Sequence, residues 1–121
     1  MPSKLRTKRI ADRIKQEISE MLVTGRINDP RIGSVFITDV SVDRELAFAT
    51  VYVSSLEGRE EAEAILQGLE HASGFLRSNL ARQIDLRTFP KLRFFWDETP
   101  EQAERIERML DKLNNPSVEE S

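Results

Sequence analysis

The chain is predicted to fold as an α+β domain: a three-stranded sheet with its helices packed mainly on one face, in the order α-β-β-α-α-β-α. Three observations predict it. Two neighbouring runs, Val35 to Val42 (VFITDVSV) and Leu46 to Ser54 (LAFATVYVS), are rich in β-branched and aromatic residues, and Asp43-Arg44-Glu45 separates them as a hairpin turn would. Stretches on either side carry apolar residues at three- and four-residue spacing, the period of a buried helix face. A third short run, Leu92 to Trp96, follows the second helical stretch. Strands and helices in this order bury their apolar faces as one sheet covered by helices. The 121 residues suffice for one modest core, so residues 1–113 are expected to form one domain.

The first helix should run from Ser3 to about Thr24 and end at Gly25. Ile10, Ile14, Ile18, Met21 and Leu22 make its buried stripe. Arg6, Arg9 and Arg13 fall on one side of that stripe, and Lys4, Lys8 and Lys15 on the other. Arg26 to Gly33 reads as a loop, because Asn28-Asp29-Pro30 is turn chemistry. In the second strand Ala47, Ala49, Val51 and Val53 share one face, and Leu46, Phe48, Thr50 and Tyr52 the other. The first strand changes phase between Ile37 and Val40, which predicts a bulge or burial on both sides. Pro90 marks the start of the third strand. Thr99-Pro100-Glu101-Gln102 is a capping box with proline at the first helical position. The last helix then runs to about Leu113, with Ala103, Ile106, Leu110 and Leu113 as its seam. Residues 114–121 are expected to be a short, disordered acidic tail.

The stretch from Gly58 to Pro90 is the organising element. It reads as two helices joined at Ala72-Ser73-Gly74. One straight helix from Arg59 to Ile84 would be roughly 39 Å long, against about 35 Å for the breadth of a compact chain of this size. Ser-Gly pairs are places where helices bend. Periodicity does not force a break, since Leu69, Ala72, Leu76 and Leu80 stay in phase. A helix restarting at Ser73 would leave N–H groups free at residues 74–76, a favourable place for an anion, and Gly74 would let a phosphate backbone approach. The alternative is a plain helix–helix corner with glycine as a C-cap and solvated arginines.

Charge is segregated. The net charge is −3, yet residues 1–33 carry eight basic side chains against four acidic, and residues 74–95 five against one. Residues 56–71 and 96–121 are acidic. If the fold joins the two basic segments, one face binds polyanions although the whole chain is acidic; the alternative is solvated helix faces. There is no cysteine, which excludes disulfides and thiolate zinc sites. The single histidine, His71, beside the expected bend, reads as a surface or helix-end residue; no metal or cofactor is expected. No apolar run reaches membrane-spanning length, and the N-terminus lacks the apolar core of a signal peptide. Phe48 and Tyr52 are candidates for base stacking or, alternatively, packed residues. No nucleotide-binding glycine loop or paired catalytic acids are evident, so no enzyme is expected.

A helix-bend-helix within this frame is the K-homology (KH) arrangement, in which a glycine-bearing loop clamps nucleic-acid backbone. The residues also resemble those of the bacterial ribosome-binding factor A family. Four segments carry the resemblance: RTKRIADRIKQEISEML, NDPRIG, HASGFLRSNLARQIDLRTFPKLRFFWDET and ERIERML. The resemblance implies a type II KH domain with an Ala-x-Gly kink, here Ala72-Ser73-Gly74. It further implies a cytoplasmic factor, expected to be monomeric, that binds the small (30S) ribosomal subunit and assists late maturation and 5′-end processing of 16S rRNA, including in the cold. On that reading Arg6, Lys8, Arg9 and Arg13 contact phosphates, and Ala72, Ser73, Gly74, Arg77, Arg82, Arg87 and Lys91 form the second half of the patch. Other assembly factors, such as a GTPase, are candidates for displacing it. The alternative is a protein–protein adaptor that uses the acidic helices and dispenses with RNA.

Overall fold

A computed structural model describes residues 3–114. The elements are α1 (Lys4–Val23), β1 (Val35–Val42), β2 (Phe48–Ser55), α2 (Ala62–Gln83), β3 (Lys91–Trp96) and α3 (Thr99–Asn114), with 3-10 turns at Pro30–Ile32 and Arg59–Glu61. The fold is α+β and KH-like, as the sequence predicts. Of the expected tail, residues 114–121, Asn114 is instead the last residue of α3, and residues 115–121 lie outside the described residues.

Local chemistry sets the ends of α1. The Ser3 hydroxyl accepts the Arg6 N–H at 3.1 Å, satisfying one of the free donors of the first turn. At the other end Gly25 takes φ +69°, a left-handed conformation that glycine adopts at little cost. Gly25 N–H then donates to Leu22 and Arg26 N–H to Met21, the paired bonds of a Schellman stop.

The sheet order is β1-β2-β3, with β1 antiparallel and β3 parallel to β2. The predicted phase change in β1 is a bulge: the register shifts between Ile37 and Asp39, leaving Thr38 unpaired. Thr38 is then free to tie three elements together. Its hydroxyl donates to Asp97 after β3 at 2.6 Å, and its carbonyl accepts the Lys15 ammonium of α1 at 3.2 Å. The β1–β2 turn is longer than expected. Leu46 adopts φ 57°, and the Asp43 carboxylate accepts the N–H groups of Ala47 and Phe48, so β2 starts at Phe48 instead of Leu46.

Both α1 and α2 cover one face of the sheet, α1 over β1 and α2 over β3. Ala49, Val51 and Val53 are fully buried there against Ile14, Ile18, Leu69, Leu76 and Leu80. Removing each of the larger aliphatic side chains from water contributes about 1.5–3 kcal/mol. Phe48, Thr50 and Tyr52 face the opposite way, as period-2 alternation requires.

Two expectations are corrected. First, Ala72-Ser73-Gly74 is not a junction between two helices: α2 is one helix of 22 residues, so the order is α-β-β-α-β-α. The length objection disappears because Arg59–Glu61 forms a separate 3-10 turn, and 22 residues span only about 33 Å. The apolar stripe stays in phase throughout, so one continuous helical face serves the core. Second, the seam of α3 is not packed. Among the described residues, α3 buries none of its own, and Ile106, Met109, Leu110 and Leu113 are 52–78% exposed. The helix starts near the predicted place but without the expected capping box: Thr99 is already its first residue, Asp97 accepts the Thr99 N–H at 2.9 Å, and the Gln102 N–H goes to the Glu98 carbonyl at 3.0 Å.

Candidate nucleic-acid interface

The fold joins the two basic segments along the α1–α2 boundary. Near the start of α1, Arg6 and Arg87 line one hollow of about 510 Å³ with Glu45, Leu46, Ala47, Leu86 and Thr88. In the middle, the Arg13 guanidinium reaches the Gln83 carbonyl at the end of α2 at 3.4 Å while pairing with Glu17 at 3.2 Å. At the far end, Arg26 meets α2 at Asn79, whose side-chain oxygen also accepts from Arg82. Two hydrogen bonds and one shared hollow therefore bring residues 6–26 alongside residues 79–87. Phosphate groups could track this line, since exposed guanidinium groups attract them without reading sequence.

The predicted residues are not equivalent. Arg6, Lys8 and Arg9 are exposed on the first turns of α1. Among the described residues, no carboxylate lies within 4 Å of Arg6 or Arg9, and Lys8 makes only a 3.9 Å contact with Asp12. Arg77 is occupied: it donates to the carbonyls of Phe89 at 2.6 Å and Pro90 at 3.2 Å, pinning α2 to the connection before β3. Lys91 opens β3 and alternates with buried Leu92, so it lies on the sheet face away from α1 and α2. Ala72, Ser73 and Gly74 sit inside an uninterrupted helix. The N–H groups at 74–76 are therefore committed to the helix and do not form the anion site expected of a restart. Gly74 does remain open, since a Cβ there would meet nothing within 4 Å.

The open sheet face adds features that the sequence left ambiguous. Phe48 is 36% exposed, and the Arg93 guanidinium lies 4.1 Å from its ring centroid. Tyr52 packs beside Phe95 with ring centroids 6.2 Å apart. These aromatics are partly solvated and stand outside the main core.

Sequence reasoning missed Asn79 and Arg26. The signal for Asn79 was present: it lies within the Leu76–Leu80 stripe and is only 6% exposed, so a polar residue there needs a partner. Arg26 carries no comparable mark, because its contact spans 53 residues.

Two carboxylates are electrostatically distinctive. Hydrogen bonds from the Arg31 side chain and backbone hold the Asp29 carboxyl down at about 2. Hydrogen bonds from Thr38 and Thr99 lower that of Asp97. Both anions organise loops and leave the basic line uncovered.

The chain is similar to known proteins over most of its length. A family model described as ribosome-binding factor A matches residues 6–110. A ribosome-binding factor A of Nitrosomonas europaea is 43% identical over 107 residues, covering 88% of this chain and 91% of the relative. The crystal structure of ribosome-binding factor A from Thermus thermophilus superposes with a TM-score of 0.67, covering 74% of this chain and 93% of the other at 24% identity. Thermus thermophilus coordinates fitted into a cryo-electron microscopy map of a complex of that factor with the 30S subunit give a TM-score of 0.53, covering 71% and 93% at 24% identity. The chain belongs to the ribosome-binding factor A family.

Proposed function

We propose that this chain is a non-enzymatic RNA-binding assembly factor. It binds the small ribosomal subunit and assists late maturation and 5′-end processing of 16S rRNA, including at low temperature. It acts in the cytoplasm as a single-domain monomer without a cofactor, and another assembly factor such as a GTPase is a candidate for its displacement. The observation that carries this reading is the convergence of two basic segments on one boundary in a chain of net charge −3. Family membership and the 30S complex of the Thermus thermophilus relative support the choice of partner. Arg6, Lys8, Arg9 and Arg13 supply phosphate contacts from α1. Arg82 and Arg87 extend them from α2 and the following connection, with Gly74 as a place of close backbone approach. No helix among the described residues is long and apolar enough to cross a membrane.

A second reading has its own observation. The exposed stripe of Ile106, Met109, Leu110 and Leu113 on α3 suits a protein partner, so an adaptor could act without touching RNA. Sucrose-gradient sedimentation with purified small subunits separates the two. Co-sedimentation that limited ribonuclease digestion abolishes supports RNA contact. Protein that stays on the digested particle, or that shifts only when α3 is removed, supports the adaptor.

A further inference from the structure

We infer that Arg26 and Arg82, held together by the buried side chain of Asn79, form a binding site for one phosphate of an RNA backbone. The inference rests on the RNA-binding reading above and adds a specific site to it. Asn79 is the pivot. Its amide nitrogen donates to the Phe75 carbonyl at 2.9 Å, which fixes the direction of its oxygen. That oxygen accepts from Arg26 at 2.9 Å and from Arg82 at 3.0 Å, using both of its lone pairs. Two nitrogens bound to one atom at those distances lie within about 6 Å of each other.

The electrostatics of this cluster are incomplete. Two guanidinium groups share a neutral acceptor, which aligns them and neutralises neither. Among the described residues, no carboxylate lies within 4 Å of either one. The nearby Asp29 is held in two places by Arg31. Each of the paired arginines keeps further N–H donors, and both side chains are solvent-exposed. A phosphate has the charge and the number of acceptors to satisfy both at once, and guanidinium groups favour two-point contacts with it. Arg26 also borders a hollow of about 300 Å³ lined by Ile27, Asn28, Asp29, His71, Ala72 and Phe75, which leaves room for the flanking nucleotide; the one carboxylate in that lining, Asp29, is engaged by Arg31. A helix terminus plays no part, since Asn79 and Arg82 lie within α2.

The test uses the full chain and two probes. Inorganic phosphate is titrated into protein labelled at its arginine side-chain nitrogens, and small-subunit binding is measured from low to moderate salt. Arg26→Gln combined with Arg82→Gln is the main variant; Asn79→Ala tests the positioning role. The expected result is a saturating shift of the Arg26 and Arg82 signals, lost or scattered in Asn79→Ala. Subunit affinity should fall about tenfold in the double variant, and its salt dependence should drop by about one phosphate contact. If neither arginine responds and the salt slope is unchanged, the site does not exist. If phosphate shifts both signals but the double variant binds subunits with the wild-type slope, the site takes an anion other than RNA and the inference is overturned. If wild type responds to phosphate but binds no subunit, the cluster stands as a phosphate site and the assembly-factor reading fails.

Discussion

Replacing Gly74 with alanine tests the most consequential feature of α2, its continuity. Gly74 lies inside the 22-residue helix, without the left-handed φ seen at Gly25, and a Cβ there would meet nothing within 4 Å. An interior helical glycine costs about 1 kcal/mol relative to alanine. With no clash to offset the gain, Gly74→Ala should stabilise the protein by about 1 kcal/mol, or roughly 4 °C in Tm for a chain of this size. Gly68 is the internal control. Its added Cβ would sit 3.1 Å from the Ile32 side chain and 3.2 Å from that of Arg31, where crowding opposes the same helical gain. Gly68→Ala should therefore fall below Gly74→Ala by about 1–3 kcal/mol. Urea unfolding measures both, and the denaturant dependence should stay unchanged, so the midpoint alone reports stability. A loss of about 1 kcal/mol or more in Gly74→Ala would refute continuity, because a glycine capping a broken helix in a left-handed conformation behaves that way. Subunit binding by the same variant separates fold from function: a more stable protein that binds less tightly would mean that a backbone approaches at Gly74.

Further expectations concern Arg77, Asp29 and α3. Arg77→Ala strands the carbonyls of buried Phe89 and Pro90 and should cost about 1–3 kcal/mol by urea unfolding, whatever it does to RNA binding. The folded Asp29 carboxyl titrates at about 2, below the 3.8 of an unperturbed aspartate, so its stabilisation is present above about pH 4 and fades as the pH falls toward 2. Between pH 5 and pH 2, thermal melts of wild type should therefore lose more stability than those of Asp29→Asn. Ending the chain after Glu98 removes a helix that buries no residue of its own, and the remaining domain should melt within about 1 kcal/mol of wild type.

What the sequence disclosed follows from which interactions are local. Ser3 and Gly25 bracket α1 through bonds within a few residues, and the β1 bulge shows as a slip in an alternating pattern, so both were legible. The core stripes of α1 and α2 were legible because burial imposes a period. The break at Ala72-Ser73-Gly74 was a misreading of a glycine that the continuous apolar stripe outweighs. The seam of α3 has the same spacing as a buried stripe, and spacing cannot say whether a surface exists to cover it. Within the candidate interface, the basic residues of α1 were visible as a run of one sign. The occupation of Arg77 by two carbonyls and the meeting of Arg26 with Asn79 depend on chain crossings 12 to 53 residues apart in sequence, which no local pattern encodes.

The most direct test of RNA contact through the basic line is sedimentation of the protein with small ribosomal subunits at low and moderate salt, comparing wild type with Arg9→Glu combined with Arg13→Glu. Arg9 has no carboxylate partner among the described residues, so Arg9→Glu should stay within about 0.5 kcal/mol of wild type. Arg13→Glu loses the Glu17 pair and the Gln83 contact and sets two carboxylates one turn apart, a further cost of about 1 kcal/mol that the domain should tolerate while remaining folded. Wild type should travel with the subunit and lose affinity as salt rises, while the folded variant stays at the top of the gradient. Equal co-sedimentation of the two proteins would contradict α1 as a contact surface.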